Sequence, residues 1–196
     1  MKYKHLFFDL DNTLWDFDFN SKTVLGHIFD KFKLKNKGIP SKKKFINSYK
    51  KINGNLWLKY REGLINKNIL RSQRFLKTLE SFNIHDNKLS EFISNYYVDN
   101  SPHQTKLMDG AKDVLFNLSL RYKLHIITNG FKEVQYVKLK ESGIYNFFDK
   151  IIVSEDVGVL KPNKKIFSFA INKSGAKIEN SLMIGDDDIS DIRGAR

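Results

Sequence analysis

Short apolar runs alternate with helical patterns over the second half of the chain. Four runs have the length and composition of buried strands, at residues 4–10, 124–128, 151–153 and 182–184. Stretches with helical spacing of apolar residues precede each of the last three runs, at 111–118, from 131 to about 143, and at 166–171 up to Gly175. This alternation predicts an α/β fold, with a parallel sheet covered by helices on both faces.

The segment from about residue 20 to 100 has a different pattern, which is wholly helical. Three helix faces are predicted: Val24, Leu25, Ile28, Phe29 and Phe32; Phe45, Tyr49, Ile52, Leu56 and Tyr60; and Leu89, Phe92, Ile93 and Tyr96. Ser101-Pro102 ends the pattern. Since the first strand must join the sheet, we expect residues 16–104 to be an all-helical domain inserted into a core of residues 1–15 and 105–196.

Polar residues follow each predicted strand. They are Asp9 and Asp11, Thr128 and Asn129, Ser154 and Glu155, and Asp186. In an open parallel sheet, ligands bind at the carboxyl ends of the strands. We therefore expect these side chains to meet in one crevice, with the helical insertion as a lid.

The acidic residues at these strand ends indicate a metal site. Asp9 and Asp11 lie two residues apart directly after an apolar strand, and such close like charges repel unless a cation lies between them. Mg²⁺ prefers hard oxygen ligands, so it is the expected cofactor. Asp186 is also expected to be a ligand, whereas Asp187, Asp188 or Asp191 could instead cap the following helix.

Thr128 and Lys161 suit the binding of a phosphate. Thr128 ends a strand before Asn129-Gly130, where a hydroxyl and backbone N–H groups could seat a phosphate; an ordinary helix cap is the alternative. Lys161 precedes Pro162, which favours an extended backbone and could fix the ammonium over the site. A carboxylate nucleophile, a metal, a lysine and a second carboxylate together indicate phosphoryl transfer.

Composition narrows the class of protein further. The chain has 196 residues, 41% of them hydrophobic, and no cysteine, which excludes disulfides, a thiolate nucleophile and a zinc site that needs sulfur. The net charge of +12 is scattered along the chain, which favours a compositional origin with some field-assisted capture of phosphorylated small molecules. No nucleic acid polymer is expected as a partner. No apolar run suits a membrane span or a signal peptide, so a cytoplasmic location is expected. The protein could be a monomer or a homodimer.

Four segments, taken in order, resemble the four motifs of the haloacid dehalogenase superfamily: Asp9-Leu10-Asp11-Asn12-Thr13, Thr128-Asn129-Gly130, Lys161-Pro162, and Gly185-Asp186 with Asp191. The resemblance implies a Rossmann-like core, a helical cap domain inserted after the first motif, and a magnesium-dependent phosphatase. Asp9 would form an aspartyl-phosphate. Asp11 would protonate the leaving alkoxide and then deprotonate the attacking water.

The same resemblance implies roles for the other motif residues. Thr128 and Asn129 would hold the phosphate, and Lys161 would balance its charge. Magnesium would be bound by Asp9, by Asp11 through its backbone carbonyl, and by Asp186. Asp191 would complete the metal site by orienting Lys161 or the waters on the metal.

A finer resemblance is to the pyrimidine 5′-nucleotidase branch of the superfamily. It is carried by Leu14-Trp15-Asp16-Phe17, by Asn55-Leu56-Trp57, Tyr60 and Gly63, by Arg74-Phe75, and by Phe131 and Gln135 after the second motif. Such enzymes remove phosphate from dUMP, dTMP and related monophosphates. Trp57 and Tyr60 could stack on the base, or they could simply pack between helices.

Two features depart from the family pattern. Asp187-Asp188 stand where Ser-Leu is common, which makes the metal side more acidic. The sequence also stops at Arg196, soon after the fourth motif, so we expect a core that is truncated at its C-terminal part.

The alternatives to a pyrimidine nucleotidase are a phosphatase of another small metabolite such as a sugar phosphate, a haloacid dehalogenase, and an inactive binding scaffold. Dehalogenases of this fold place an aromatic residue where Asp11 stands, which argues against that alternative.

Overall fold

The computed structural model of the protein describes residues 2–196. Over these residues a sheet of four parallel strands is combined with helices, which confirms the predicted α/β class. The chain divides into two compact units. One consists of the residues up to Asn20 together with Pro102–Arg196 and is called the core unit here; the other, Ser21–Ser101, is called the helical unit.

The sheet lies in the core unit. Its strands are β1 (His5–Phe8), β2 (Lys123–Thr128), β3 (Phe148–Val153) and β4 (Ser181–Ile184), in the spatial order β3-β2-β1-β4. β1 pairs in parallel with both β2 and β4, and Phe8 lies opposite Ile126 and Ile184. β1 thus has a neighbour on each side, and all of its residues are buried, as expected for an apolar run in a parallel sheet.

The helices of the two units are numbered together in chain order. They are α1 (Phe17–Lys31), α2 (Lys42–Arg61), α3 (Lys67–Glu80), α4 (Asn87–Asn100), α5 (Ala111–Ser119), α6 (Lys132–Glu141), α7 (Ser154–Val157) and α8 (Lys164–Ser174). A π-helix, Asp188–Arg193, follows β4. Short 3-10 turns occur at Leu34–Lys37, Ser101–His103, Tyr145–Phe147 and Ile178–Asn180. None of the helices within residues 2–196 is both long and apolar enough to cross a membrane.

Apolar side chains cover both faces of the sheet. Successive residues of a strand point to opposite faces, so Leu6 and Phe8 pack in a cluster with Leu115 of α5. Phe7 packs in a second cluster with Ile166 of α8. The two-sided cover that the alternation of strands and helices predicts is therefore confirmed.

The helical unit has an apolar core of its own. Val24, Leu25, Ile28 and Phe29 of α1 are buried there, as predicted, against residues of α2, α3 and α4. Side-chain oxygens cap three of these helices: those of Ser41, Asn66 and Asp86 accept hydrogen bonds from the backbone N–H groups of Lys44, Ile69 and Leu89. Such caps satisfy donors that the first helical turn leaves unpaired.

Two predicted helix faces are wrong in part. Phe92 of α4 is 64% exposed, and Tyr97, one position beyond the predicted face, is buried instead. In the helical stretch predicted at residues 111–118, the apolar residue Val114 is also exposed, whereas its neighbour Leu115 is fully buried. A stripe only three or four residues wide leaves the rotation of a helix uncertain by about one position, because neighbouring residues differ by only 100°.

The boundaries of the compact units differ slightly from the predicted domains. The chain passes from the core unit into the helical unit within α1, between Asn20 and Ser21, and returns between Ser101 and Pro102. The predicted boundaries were residues 15/16 and 104/105. The division into a catalytic core and a cap domain stays a prediction.

Candidate active site

Strand pairing brings the first and last motifs together. Asp9 follows β1 directly, and its backbone N–H donates a hydrogen bond of 2.9 Å to the carbonyl of Ile184, the last residue of β4. Asp186 follows β4 two residues later. The two aspartates that the sequence places at separate strand ends therefore lie at neighbouring ends of one sheet.

Lys161 lies between two carboxylates. Its Nζ is 2.6 Å from Asp9 Oδ1 and 2.6 Å from Asp191 Oδ1, and the side chain is only 2% exposed. Charge-assisted hydrogen bonds of this length are strong and fix both partners. The Lys161 ammonium therefore lies directly beside Asp9, the predicted nucleophile.

Asn129 holds the backbone of Lys161. The Lys161 N–H donates to Asn129 Oδ1 at 2.7 Å, and Asn129 Nδ2 donates to the Lys161 carbonyl at 3.0 Å. Asn129, which was predicted to bind phosphate, thus uses both ends of its amide within the protein. It positions the lysine, a role that its place in the sequence does not indicate.

Three acidic side chains form a cluster at the ends of β1 and β4. Among the described residues, Asp9, Asp186 and Asp191 offer carboxylate oxygens that all lie within 4.8 Å of one another. Asp9 and Asp191 are buried, whereas Asp186 is exposed and opens the cluster to solvent. Thr13 Oγ1 donates to Asp186 at 3.4 Å. Asp191 packs directly on Gly185, where a Cβ atom would clash with its carboxylate.

The two additional aspartates of this segment have separate roles. Asp187 Oδ1 accepts hydrogen bonds from the backbone N–H groups of Ile189 and Ser190, both at 2.9 Å. It therefore caps the π-helix, which is the role predicted as an alternative to metal binding. Asp188 pairs with Arg193 at 2.7 Å on the surface. Within the described residues, neither belongs to the acidic cluster.

Burial governs the ionisation of the cluster. It raises the pKa of Asp9 to about 7, although the Lys161 ammonium favours the carboxylate form. Burial also raises the pKa of Asp186. Burial alone would lower the pKa of Lys161, but Asp9 and Asp191 outweigh it and raise that pKa. Three carboxylates around one ammonium leave a shortage of positive charge, so the donor set fits a divalent cation.

Thr128 lies at the end of β2, deep in the same region. Its Oγ1 accepts hydrogen bonds from the Gly130 N–H at 3.2 Å and from Gln135 Nε2 at 2.7 Å. The Gln135 side chain lies so close to Gly130 that a Cβ there would overlap it. Residue 130 is therefore a glycine because a side chain there would displace Gln135 from its hydrogen bond to Thr128.

The carboxylate of Asp11 lies apart from the acidic cluster. Lys138 Nζ is 2.6 Å from its Oδ1, and Gln135 Nε2 donates to its Oδ2 at 3.1 Å. Its side chain is 29% exposed, so it can reach a ligand. The separation fits the expectation that Asp11 would offer a metal its backbone carbonyl rather than its carboxylate.

Lys138 lies near the site although no motif in the sequence indicates it, and Gln135 is indicated only by the resemblance to the nucleotidase branch. Both lie on α6, three positions apart, and so on one helix face. A lysine and a glutamine on an amphipathic helix normally indicate a solvated face. The only available signal was this spacing directly after the second motif.

Trp57 and Tyr60 belong to the helical unit. Both lie on α2, partly buried, with ring centroids 5.5 Å apart in an edge-to-face arrangement. Aromatic pairs prefer this geometry. The contact favours a packing role for at least one ring, while the predicted stacking on a base stays a prediction.

A parallel sheet with an acidic cluster at the carboxyl ends of its strands, and a buried lysine against two of these carboxylates, is typical of α/β enzymes. The family model of haloacid dehalogenase-like hydrolases matches residues 3–196, and the chain belongs to this family. The expected superfamily and the expected enzymatic nature of the protein are therefore confirmed.

Several relatives match almost the whole chain. The HAD-hydrolase YfnB of Bacillus subtilis is 33% identical over all of this chain and 80% of its own length. The pyrimidine 5′-nucleotidases YjjG of Escherichia coli and PynA of Streptococcus pneumoniae are 35% and 31% identical over 99% of this chain and 82% and 80% of their own. The resemblance to the pyrimidine 5′-nucleotidase branch is thus confirmed.

Solved structures agree with the fold. A crystal structure of YfnB bound to magnesium superimposes with a TM-score of 0.88 at 31% identity, covering all of this chain and 85% of that one. A 2-haloacid dehalogenase from Pseudomonas syringae gives a TM-score of 0.64 at 22% identity, over 98% of this chain and 82% of that one. At that identity the dehalogenase shares the fold alone.

Proposed function

We propose that this chain is a magnesium-dependent phosphomonoester hydrolase that acts through an aspartyl-phosphate. The observation that carries the proposal is the position of Lys161, buried between Asp9 and Asp191 beside Asp186. A nucleophilic carboxylate needs neighbouring positive charge when it approaches an anionic phosphate, and this geometry supplies it.

Asp9 is the nucleophile in this proposal. Its carboxylate oxygen forms a bond to phosphorus while the bond from phosphorus to the leaving oxygen breaks, and that oxygen takes a proton from Asp11. Water then attacks the phosphoryl group and gives a proton to Asp11. The bond from phosphorus to Asp9 breaks, which releases inorganic phosphate and restores the carboxylate.

Two side chains face the phosphoryl oxygens. The Thr128 hydroxyl accepts two hydrogen bonds within the protein, which leaves its own proton to donate to a phosphate oxygen. Lys161 neutralises charge, and Asn129 contributes by holding the Lys161 backbone. Such preorganised donors stabilise charge at the transferring group.

Magnesium fits the acidic cluster. Asp9 and Asp186 would hold it with the backbone carbonyl of Asp11, and Asp191 would orient Lys161 or the waters on the metal. When bound, the ion would neutralise charge on the phosphate and favour the ionised form of Asp9. The magnesium in the related YfnB structure supports this assignment.

We propose pyrimidine (deoxy)nucleoside monophosphates as the substrates. The names of YjjG and PynA, which match 99% of this chain, support this class. Trp57 or Tyr60 would stack on the base. Another small phosphorylated metabolite is the second candidate, since a glyceraldehyde 3-phosphate phosphatase of Methanothermobacter thermautotrophicus is 43% identical over 38% of this chain. The nucleotidases match 99% of this chain, a much larger share than the sugar phosphatase does, so we favour the nucleotidase assignment.

The test is phosphate release from a panel that contains dUMP, dTMP and sugar phosphates, with magnesium and with excess chelator. We expect turnover that requires magnesium and favours the pyrimidine nucleotides. Asp9→Asn should abolish it, while the matched surface variant Asp113→Asn on α5 should not change it. Absence of phosphate release from every ester would refute the proposal. Halide release from haloacids would favour the dehalogenase alternative instead.

A further inference from the structure

Both oxygens of the Asp11 carboxylate are held from one helix. Lys138 Nζ lies 2.6 Å from Oδ1 and Gln135 Nε2 lies 3.1 Å from Oδ2. Since these donors are three residues apart on α6, they lie side by side on one face of that helix. The carboxylate therefore cannot rotate without losing one of its two hydrogen bonds.

We propose that Lys138, together with Gln135, positions Asp11 for proton transfer to the leaving group. This inference rests on the proposed function, in which Asp11 is the acid and base. Neither α6 side chain needs to touch the substrate. Their effect is to hold a partly exposed carboxylate at one distance and angle, and an error of about 1 Å in such a group costs up to about 100-fold in rate.

Lys138 is itself fixed from the other side. Its side chain is 4% exposed, and its Nζ lies 4.2 Å from the centroid of the Trp15 ring. Trp15 is fully buried, and its backbone carbonyl accepts a hydrogen bond from the Asn12 N–H at 2.8 Å. The ring attracts the ammonium through its negative face and is tied to the loop that carries Asp11. The ammonium thus has one rigid location.

Gln135 links Asp11 to the residue proposed to hold phosphate. Its Nε2 donates both to Asp11 and to Thr128 Oγ1 at 2.7 Å, and its side chain is fully buried against Gly130. Its Oε1 has no hydrogen-bond partner within the described residues. An ionised carboxylate only accepts hydrogen bonds, so the nitrogen end of the amide must face Asp11. One side chain therefore sets the spacing between acid and phosphate seat.

A buried ion pair could also have a purely structural role. Loss of a structural lysine would lower stability and reduce activity by a similar factor on every substrate. Loss of a positioning lysine would reduce activity most where the leaving oxygen needs a proton. A nucleoside 5′-alkoxide is strongly basic and needs one, whereas p-nitrophenolate leaves as a stable anion.

The decisive variant is Lys138→Met, which keeps the length of the side chain against Trp15. We compare kcat/KM of wild type and variant on dUMP and on p-nitrophenyl phosphate. This ratio covers the steps up to formation of the aspartyl-phosphate, so it excludes the later hydrolysis that both substrates share. We expect a loss of about 10- to 100-fold on dUMP and of less than about 3-fold on p-nitrophenyl phosphate.

Controls separate this role from folding. Lys140→Met, which removes an exposed lysine from the same helix, should not change either value. Lys138→Arg should recover most of the loss on dUMP. In an Asp11→Asn background, Lys138→Met should add no further loss, because no Asp11 carboxylate is then left for Lys138 to position. If Lys138→Met does not fold, Lys138→Gln takes its place in the same comparison.

The outcomes are distinct. A selective loss on dUMP supports the inference. Equal losses on the two substrates, no loss, or an additive effect with Asp11→Asn overturn it and leave the proposed function in place. A wild-type protein that releases phosphate from neither substrate overturns the proposed function and this inference together.

Discussion

Replacement of Gly185 by alanine tests the acidic cluster through space alone. Gly185 has no positive φ angle, so alanine can adopt its backbone conformation. A Cβ at this position would lie 2.6 Å from the Cβ of Asp191 and would overlap the Asp191 carboxylate. Since carbon atoms pack at about 3.5 Å or more, Asp191 must withdraw by about 1 Å.

The cost follows from what Asp191 holds. Its hydrogen bond of 2.6 Å to Lys161 would lengthen beyond bonding distance. A charge-assisted hydrogen bond contributes about 1.5–3 kcal/mol, and overpacking costs about 1–3 kcal/mol. We expect Gly185→Ala to lower the free energy of unfolding by about 3 kcal/mol. For a chain of this size, that lowers Tm by about 6–12 °C.

Thermal unfolding followed by circular dichroism measures this change, and phosphate release measures its effect on the site. We expect turnover to fall at least about 10-fold, because Lys161 loses one of its two fixed partners. Gly54→Ala is the matched control: Gly54 lies in α2 with nothing within 4 Å of a new Cβ, so alanine should stabilise that helix by about 1 kcal/mol. An unchanged Tm and turnover in Gly185→Ala would refute the described contact between Asp191 and Gly185.

Two further predictions concern stability. Burial lowers the pKa of His125 to about 4, against 6.5 unfolded, so the unfolded chain binds the proton first and stability falls as the pH drops between those values. The raised pKa of Asp9 changes stability in the opposite direction over this pH range, so the effect of His125 is measured as a difference between two proteins. From pH 7 to pH 5, urea unfolding should show that wild type loses about 2 kcal/mol relative to a His125→Asn variant, and equal pH dependence of the two proteins would contradict this cause. Asp86→Ala removes the acceptor of the Leu89 N–H at the start of α4 and should cost about 1 kcal/mol by the same method, whereas the neighbouring surface variant Lys88→Ala should cost little.

The strands and the acidic strand ends were predictable because they depend on local pattern. Apolar runs such as that before Asp9 have few alternatives to a buried strand, and parallel pairing then aligns their carboxyl ends. The approach of Asp9 to Asp186 follows from this rule, whereas the direct pairing of β1 with β4 is known only from the structure.

Contacts between distant polar residues were not predictable. Lys138 lies 127 positions from Asp11, and its burial depends on the Trp15 ring and on the packing of α6. Asn129 follows β2 as predicted, yet its amide holds Lys161 because of the path of another loop. Similarly, the burial of Arg74 in the helical unit depends on Tyr97, whose ring centroid lies 4.7 Å from the guanidinium carbon. Local periodicity cannot show such pairs.

The 152 positions between Asp9 and Lys161 have a consequence for the growing chain on the ribosome. At about 5–20 residues per second, roughly 8 to 30 s separate the synthesis of the two residues. β1 is the second strand from one edge of the sheet, and its neighbour β4 is made last of the four. During that interval an early apolar strand and its acidic end have no native neighbour on that side, so β1 needs protection from other exposed apolar segments until β4 is made.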